Sequence, residues 1–138
     1  MIRKILLAYD GSEPSKKASE YALDIAQKYA AQVFVVSVAR PPEMGEDVET
    51  EAVIENSRAY HGKLLASVIH LAATRKIEVE CEVAVGHPAE QIMYSADRHD
   101  VDLIVMGHRG KTVFRRLLMG SISKQVVQHA NQPVLVVR

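Results

Sequence analysis

Residues 105–123, VMGHRGKTVFRRLLMGSIS, gather most of the chain's potential chemistry into one segment. Gly110-Lys111-Thr112 matches the end of a phosphate-binding P-loop, in which backbone amides cradle phosphates and the lysine reaches their oxygens. That motif requires a glycine five residues before the glycine of Gly-Lys, and here the position is Val105. Val105 belongs to the run Asp102-Leu103-Ile104-Val105-Met106, which reads as a buried strand. The loop can therefore begin only at Gly107. Two residues between Gly107 and Gly110 are too few for a P-loop, and VFRRLLMG is a poor start for the helix that should follow. What remains is a different glycine loop, Gly107-x-x-Gly110, closing on Gly120-Ser121. His108, Arg109, Lys111, Arg115 and Arg116 make its first part basic, with no acid among them.

Other chemistry is sparse. His61, His70, His87, His99, His108 and His129 show no paired metal-ligand spacing. No G-x-S-x-G elbow supports a serine nucleophile. No Walker-type acid or paired carboxylates flank the loop; His108 is a conceivable general base, although a loop histidine is more often a hydrogen-bond partner or simply exposed. Cys81 falls on the apolar face of an alternating strand and reads as inert packing. A single cysteine excludes an internal disulfide framework and fits a reducing compartment.

The elements that must carry the loop follow from periodicity. Ile2–Tyr9 is a continuous apolar strand running into the turn Asp10-Gly11-Ser12. Ser12 or Glu13 can cap a helix with Pro14 in its first turn, and Ala18, Tyr21, Ala22, Ile25, Ala26 and Tyr29 recur at helical spacing. Residues 33–38 form a second strand, and Arg40 to Gly45 a turn. A long helix is expected from about Asp47 to Arg75, with Val48, Ala52, Leu64, Leu65, Val68, Ile69 and Ala72 inward and a possible break at Gly62. Ile77–Val85 alternates, as an edge strand with one dry and one wet face does. A helix follows Gly86-His87-Pro88 to about Arg98, with Ile92, Met93 and Ala96 inward. Leu103–Met106 is the fourth strand. A short helix at 121–130, with Ile122, Val126 and Val127 on one side, leads to the strand Val134–Val137.

Alternating strands and helices imply an α/β protein: one doubly wound, five-stranded parallel sheet with helices on both faces, Rossmann-like. Strands 1 and 4 are apolar throughout and belong at the centre, strand 3 at an edge, which gives the order 3-2-1-4-5. The winding reverses between strands 1 and 4, and ligands bind at such a switch point, beyond the carboxyl ends of the strands. The two loops there start at Asp10 and Gly107. Strand 5, an apolar edge, is either covered by helices or pairs with its copy in a homodimer through Val134, Leu135, Val136 and Val137.

Composition agrees. The chain's 138 residues suit one domain, 1–138. Lys plus Arg and Asp plus Glu number 17 each, so no global charge draws it to nucleic acid or membrane. No run of about 18 apolar residues exists, and MIRKILLAYDGS lacks a signal peptide's pattern. A cytoplasmic protein without nucleic-acid binding or membrane insertion is expected.

The glycine loop in this five-strand setting strongly resembles the nucleotide-binding signature of the universal stress protein family. The resemblance spans the chain: KILLAYDGS, VDLIVMGHRG, GSIS and QPVLVV. It implies ATP as ligand, with Mg2+ or Mn2+ held mainly by the phosphates. It assigns Gly107, Gly110, Gly120 and Ser121 to the triphosphate, with His108, Arg109, Ile122 and Ser123 in the same segments. It places Asp10 at the ribose, and the backbone of Ala8 and Tyr9 with the side chains of Val38 and Met106 around the adenine. The family divides into members that carry the glycine signature and bind ATP and members that do neither; this chain carries it in full.

Each assignment has a physical reason. Glycines let amides approach phosphate without an intervening Cβ. Ser121 is expected to cap the last helix, whose free amides attract anions. A carboxylate at Asp10 accepts from two ribose hydroxyls. Asp10 could equally be a turn residue, and Gly107 only a strand end. Three functions fit: an ATP-binding regulator acting with an unidentified protein partner, a slow ATP hydrolase or phosphotransfer enzyme, and an interaction module without nucleotide. A receiver domain would need an acid cluster at the strand ends, and a flavodoxin a Ser/Thr-rich loop in place of DGSEPS.

Overall fold

The chain opens with apolar residues because its first strand is walled in on both faces. The structure, a computed structural model, describes residues 1–40, 48–109 and 119–138, the side chains of 48–54 excepted. In order, its elements are β1 (Lys4–Ala8), α1 (Glu13–Tyr29), β2 (Gln32–Ala39), α2 (Val48–Thr74), β3 (Val79–Val85), α3 (Pro88–Arg98), β4 (Leu103–Gly107), α4 (Ser121–His129) and β5 (Val134–Val137). The sheet is parallel throughout, in the order β3-β2-β1-β4-β5 expected from the burial pattern.

Alternation along β1 splits the core in two. Ile5, Leu7 and Tyr9 face one side, where α1 and α2 cover them with Ala18, Ala22, Ala26, Leu65 and Val68. Leu6 and Ala8 face the other, against Ala89, Ile92 and Ala96 of α3 and Val126 of α4. Ile5, Leu6 and Leu7 are fully buried, and each such side chain contributes about 1.5–3 kcal/mol from its removal from water. Small residues on α1 and α3 let the helices sit close to the sheet.

Polar contacts fix the helices where apolar packing leaves freedom. Ser37, fully buried on β2, bonds Nδ1 of His61 on α2 at 2.6 Å. The Tyr9 hydroxyl and Ser67 Oγ are 3.3 Å apart. On the opposite face, the β3 carboxylate of Glu82 accepts from Ser95 and is paired with Arg98, both on α3. Burial pushes this carboxyl up, but the Ser95 hydroxyl, the Arg98 guanidinium and nearby His99 outweigh burial and hold it below its ordinary value. The expected wet face of strand 3 is thus partly covered.

The structure corrects several expectations. β1 is bounded by Lys4 and Ala8 rather than Ile2 and Tyr9. β3 starts at Val79, because the Ile77 amide still bonds the Ala72 carbonyl and Lys76, at φ 59°, completes the turn after α2. α2 passes unbroken through Gly62, where a side chain would meet only open space. Tyr21, Tyr29, Ile69 and Val127, expected inward, are exposed, since they lie at the margins of helical stripes too narrow to bury them. The turn at 41–45 and the start of α2 at Asp47 lie outside the described residues. Along β5, Val134, Leu135 and Val136 are half-buried and Val137 is buried, with α1 and α4 flanking the strand. Among the described residues, no helix is long and apolar enough to cross a membrane.

Asp102 joins the two central strands. Its Oδ2 accepts from the amides of Arg3 at 2.8 Å and Lys4 at 3.0 Å. Those two amides hold the carboxyl below its ordinary value of 3.8. A depressed carboxyl stabilises the fold fully above its unfolded pKa and ceases to as pH falls through the lower folded value. Urea denaturation at a series of pH values should show wild type more stable than Asp102→Asn above about pH 4, with the gap closing under acid. A gap that does not change with pH would show that the carboxylate's charge is not engaged.

Candidate functional site

β1 and β4 end side by side, and the chain leaves them toward opposite faces of the sheet. After β1, the Tyr9 amide bonds the Val36 carbonyl at 2.9 Å, and the turn begins. Asp10 accepts the Ser12 amide on Oδ1 at 2.9 Å. Gly11 between them sits at φ 82°, a conformation that suits glycine. After β4, the His108 amide bonds the Val137 carbonyl at 2.8 Å. The His108 carbonyl then receives the Gly120 amide at 2.7 Å and the Ser123 hydroxyl at 2.6 Å. One carbonyl thereby brings together the two ends of the loop 109–119.

The two helices that follow these strands begin in opposite electrostatic states. α1 is capped: Ser12 Oγ accepts the Ser15 amide at 3.3 Å, Pro14 has no amide proton, and Glu13 adds a carboxylate to the first turn. α4 is uncapped: its N-cap is Gly120, which has no side chain, and its first turn has no acid. The first amide of α4 with an intrahelical partner is that of Lys124, which bonds the Gly120 carbonyl. The amides of Ser121, Ile122 and Ser123 therefore point out of the helix end, where the dipole is positive. An anion is favoured at α4 and not at α1.

The space between is a cleft of about 740 Å³. This is ample for a small-molecule ligand. Ala8, Tyr9 and Asp10 line it from the β1 side. Met106, Gly107 and Arg109 line it from β4, Gly120, Ser121, Ile122 and Ser123 from α4, and Val38 from β2. These residues, far apart in sequence and singled out from it, share one cavity. The side chain of His108 does not line it. Its backbone closes the loop, while its Nδ1 is buried without a hydrogen-bond partner among the described residues. Gly110, with Lys111, Arg115 and Arg116, lies outside the described residues.

Three expected roles change. Ser121 is the first residue of α4 and exposed; Gly120 is the cap. The Gly120 amide is already bonded to His108, so it is not a free donor to phosphate. A Cβ at Gly120 would stand 3.0 Å from Arg109 Cα, so the glycine eases the close approach of the two loop ends. A Cβ at Gly107 would stand 2.8 Å from Pro14 Cβ and 2.9 Å from the Ser15 nitrogen. Gly107 thus lets α1 begin directly against the end of β4.

The cleft also contains residues the sequence reading missed. Ser12 and Ser15 reach it from the start of α1, Pro88 and Ile92 from α3, Met119 from the loop end, Val36 from β2 and Arg40 from just beyond it. Period-two alternation along β2 was the available signal: Val36, Val38 and Arg40 lie on one face. The β1–β2 register ends at Ala8 opposite Val36. Val38, next on the same side of β2, presents its N–H and C=O toward the cleft beyond the last rung. One end of the cavity is therefore apolar-walled with a backbone donor–acceptor pair, and the other is a polar anion seat. Cys81 lies elsewhere, on β3, and burial pushes its thiol up to about 11, so it is not a ready nucleophile.

Comparison with known proteins gives a consistent result. The model of the universal stress protein family matches residues 1–138. A universal stress protein of Methanocaldococcus jannaschii is 33% identical over 141 aligned residues, covering 100% of this chain and 83% of the relative. Universal stress protein UspA from Lactobacillus plantarum superposes with a TM-score of 0.91 at 25% identity, over 99% of this chain and 98% of the other. The universal stress protein from Archaeoglobus fulgidus, solved in complex with dAMP, shares the fold with a TM-score of 0.74 at 24% identity, over 100% of both chains.

The packing at Gly107 gives a direct test. Gly107→Ala should lose about 1–3 kcal/mol of stability in chemical denaturation, because the clash is with backbone that cannot rotate away. A change under about 0.5 kcal/mol, the range typical of neutral surface substitutions, would mean that α1 does not seat against β4 as described.

Proposed function

This chain belongs to the universal stress protein family, and on that premise we propose that it is an ATP-binding regulatory protein that acts as a homodimer. The observation that carries the reading is the uncapped start of α4 facing Asp10 across a cleft at the β1–β4 switch point. A polyphosphate needs unpaired amides and a positive helix end, and α4 supplies both. Asp10 keeps Oδ2 for ribose hydroxyls, since Oδ1 is committed to the turn. Ala8, Val38 and Met106 flank the adenine, with Val38 offering a backbone donor and acceptor to its edge. The dAMP complex of the Archaeoglobus fulgidus protein supports an adenine nucleotide in this fold.

Ser121, Ile122 and Ser123 hold phosphate through their amides. Gly107 and Gly120 shape the loop, with Arg109 and Gly110 completing it. Among the described residues, no three metal-ligating side chains cluster. A Mg2+ or Mn2+ would be held mainly by the phosphate oxygens, where it would neutralise charge. The dimer forms through β5, whose Val134, Leu135 and Val136 stay half-exposed along a sheet edge. ATP occupancy would bias the surface this cytoplasmic dimer shows to a protein partner.

Titration calorimetry tests the site. Asp10→Ala should weaken ATP binding about 10- to 100-fold, from lost charge-assisted hydrogen bonds. Gly110→Val should weaken it at least as much, with circular dichroism unchanged in both. Unaltered affinity in both variants would refute the assignment.

A further inference from the structure

The wall of the cleft contains a sulfur that the nucleotide reading does not use. Met119 borders the cavity together with Gly120, Ser121, Ile122 and Ser123. It is 39% exposed, although methionine is among the residues most often buried. Its place in the chain does not account for this. Met119 directly precedes Gly120, the N-cap of α4, and an apolar residue there often packs on the fourth residue of the helix. That residue is Lys124, which is exposed, so the usual apolar partner is missing.

The other sulfurs are either covered or remote from the cleft. Met106 lines the same cavity but is buried, and Met93 and Cys81 are half-buried. Burial also pushes the Cys81 thiol up to about 11, which leaves little thiolate to oxidise. Met1 is fully exposed, but it precedes the amino end of β1, whereas the cleft lies beyond the strand's carboxyl end. Met44 lies outside the described residues. Among the described residues, Met119 is thus the one sulfur both open to solvent and placed at the cleft.

Oxidation of this thioether changes what the wall offers. A sulfur lone pair attacks one oxygen of hydrogen peroxide, and the O–O bond breaks as the S–O bond forms. The proton on the new S–O group passes to the departing hydroxide, which leaves as water. Sulfur is oxidised by two electrons and the peroxide is reduced by two. The sulfoxide is polar, and its oxygen accepts hydrogen bonds without donating any. It borders the same cavity as the amides of Ser121, Ile122 and Ser123, which lack a partner among the described residues. An acceptor there caps these amides as a serine or aspartate N-cap would, in competition with phosphate.

Resting on the nucleotide-binding reading above, we infer that Met119 is a methionine-oxidation site, where a peroxide weakens nucleotide binding and bound nucleotide shields the sulfur. Methionine sulfoxide reductases return the sulfoxide to the thioether, so the change is reversible.

Dilute hydrogen peroxide on the full chain, followed over time by peptide mass spectrometry, tests this, with Met1 as an exposed reference in the same molecule. Met119 should gain one oxygen ahead of Met93 and Met106. Saturating ATP should slow Met119 at least about threefold, since susceptibility follows exposure, and leave Met1 unchanged. Calorimetry on the oxidised chain should show ATP binding weakened about tenfold, the loss of one charge-assisted amide contact, and restored by the reductases. Met119→Gln, which supplies an acceptor without peroxide, should weaken ATP binding in the same direction. Met119→Leu should bind ATP equally before and after peroxide. Oxidation of Met119 no faster than of Met106 overturns the inference, as does the same rate at Met119 with and without ATP. An affinity that survives oxidation, or that falls as far in Met119→Leu, also overturns it. Failure of the untreated chain to bind ATP sinks the functional reading instead, and the inference with it. Thermal melts of both variants within a few degrees of wild type show that the fold is retained. A collapsed melt moves the decision to the wild-type chain before peroxide, after it, and after the reductases.

Discussion

β1 and β4 are neighbours in the sheet, yet the helices that follow them lie on opposite faces. α1 joins α2 over the face that holds Ile5, Leu7 and Tyr9; α4 joins α3 over the face that holds Leu6 and Ala8. Loops that diverge from adjacent strand ends cannot close over the gap between them. The cleft is therefore a consequence of topology, and the strands that end at it run through the most deeply buried part of the molecule. Leu6, Leu7, Ile104 and Val105 are fully buried, which holds the two strand ends in fixed register. A site built on such strands inherits their rigidity.

Division of labour between the two helix starts gives the cleft its polarity. Both helices begin at the cavity, and both dipoles point their positive ends toward it. α1 spends its amides internally through Ser12 and offers a carboxylate nearby, so its field is largely answered. α4 begins with a glycine and leaves the amides of Ser121, Ile122 and Ser123 without a partner among the described residues. Had Gly120 been Ser or Asp, the cap would have competed with an anion for the same donors. A second constraint favours the glycine, since a Cβ there would crowd the Arg109 backbone. One residue thereby satisfies loop closure and anion recognition.

His108 shows how closely the scaffold and the site are joined. Its amide extends the β4–β5 pairing, and its carbonyl ties down Gly120 and Ser123. The strand, the loop and the helix are linked through one peptide unit. The imidazole is not part of the cleft lining, so the residue acts there through its main chain. This use of backbone explains why the segment is rich in glycine and poor in catalytic side chains.

The sequence by itself determined the sheet order and the position of the switch point. Period-two and continuous apolar runs record whether a strand is covered on one face or two, and burial on a sheet fixes order. The switch point marked the turns that start at Asp10 and Gly107, and resemblance to the universal stress protein signature singled out the GSIS segment. The sequence placed helix margins poorly: Tyr21, Ile69 and Val127 fit the apolar stripe by spacing yet face solvent, since periodicity does not report how wide a neighbour is. Only tertiary structure decided why the glycines are there. Gly107 answers Pro14 and Ser15, and Gly120 answers Arg109, contacts between segments whose approach no local pattern encodes. It likewise decided that Gly120 rather than Ser121 is the cap, and that Arg40, Pro88 and Ile92 reach the cavity. Local periodicity specifies which face a residue takes, while distances between separate elements are set by packing, and the chemistry of this cleft lies in those distances.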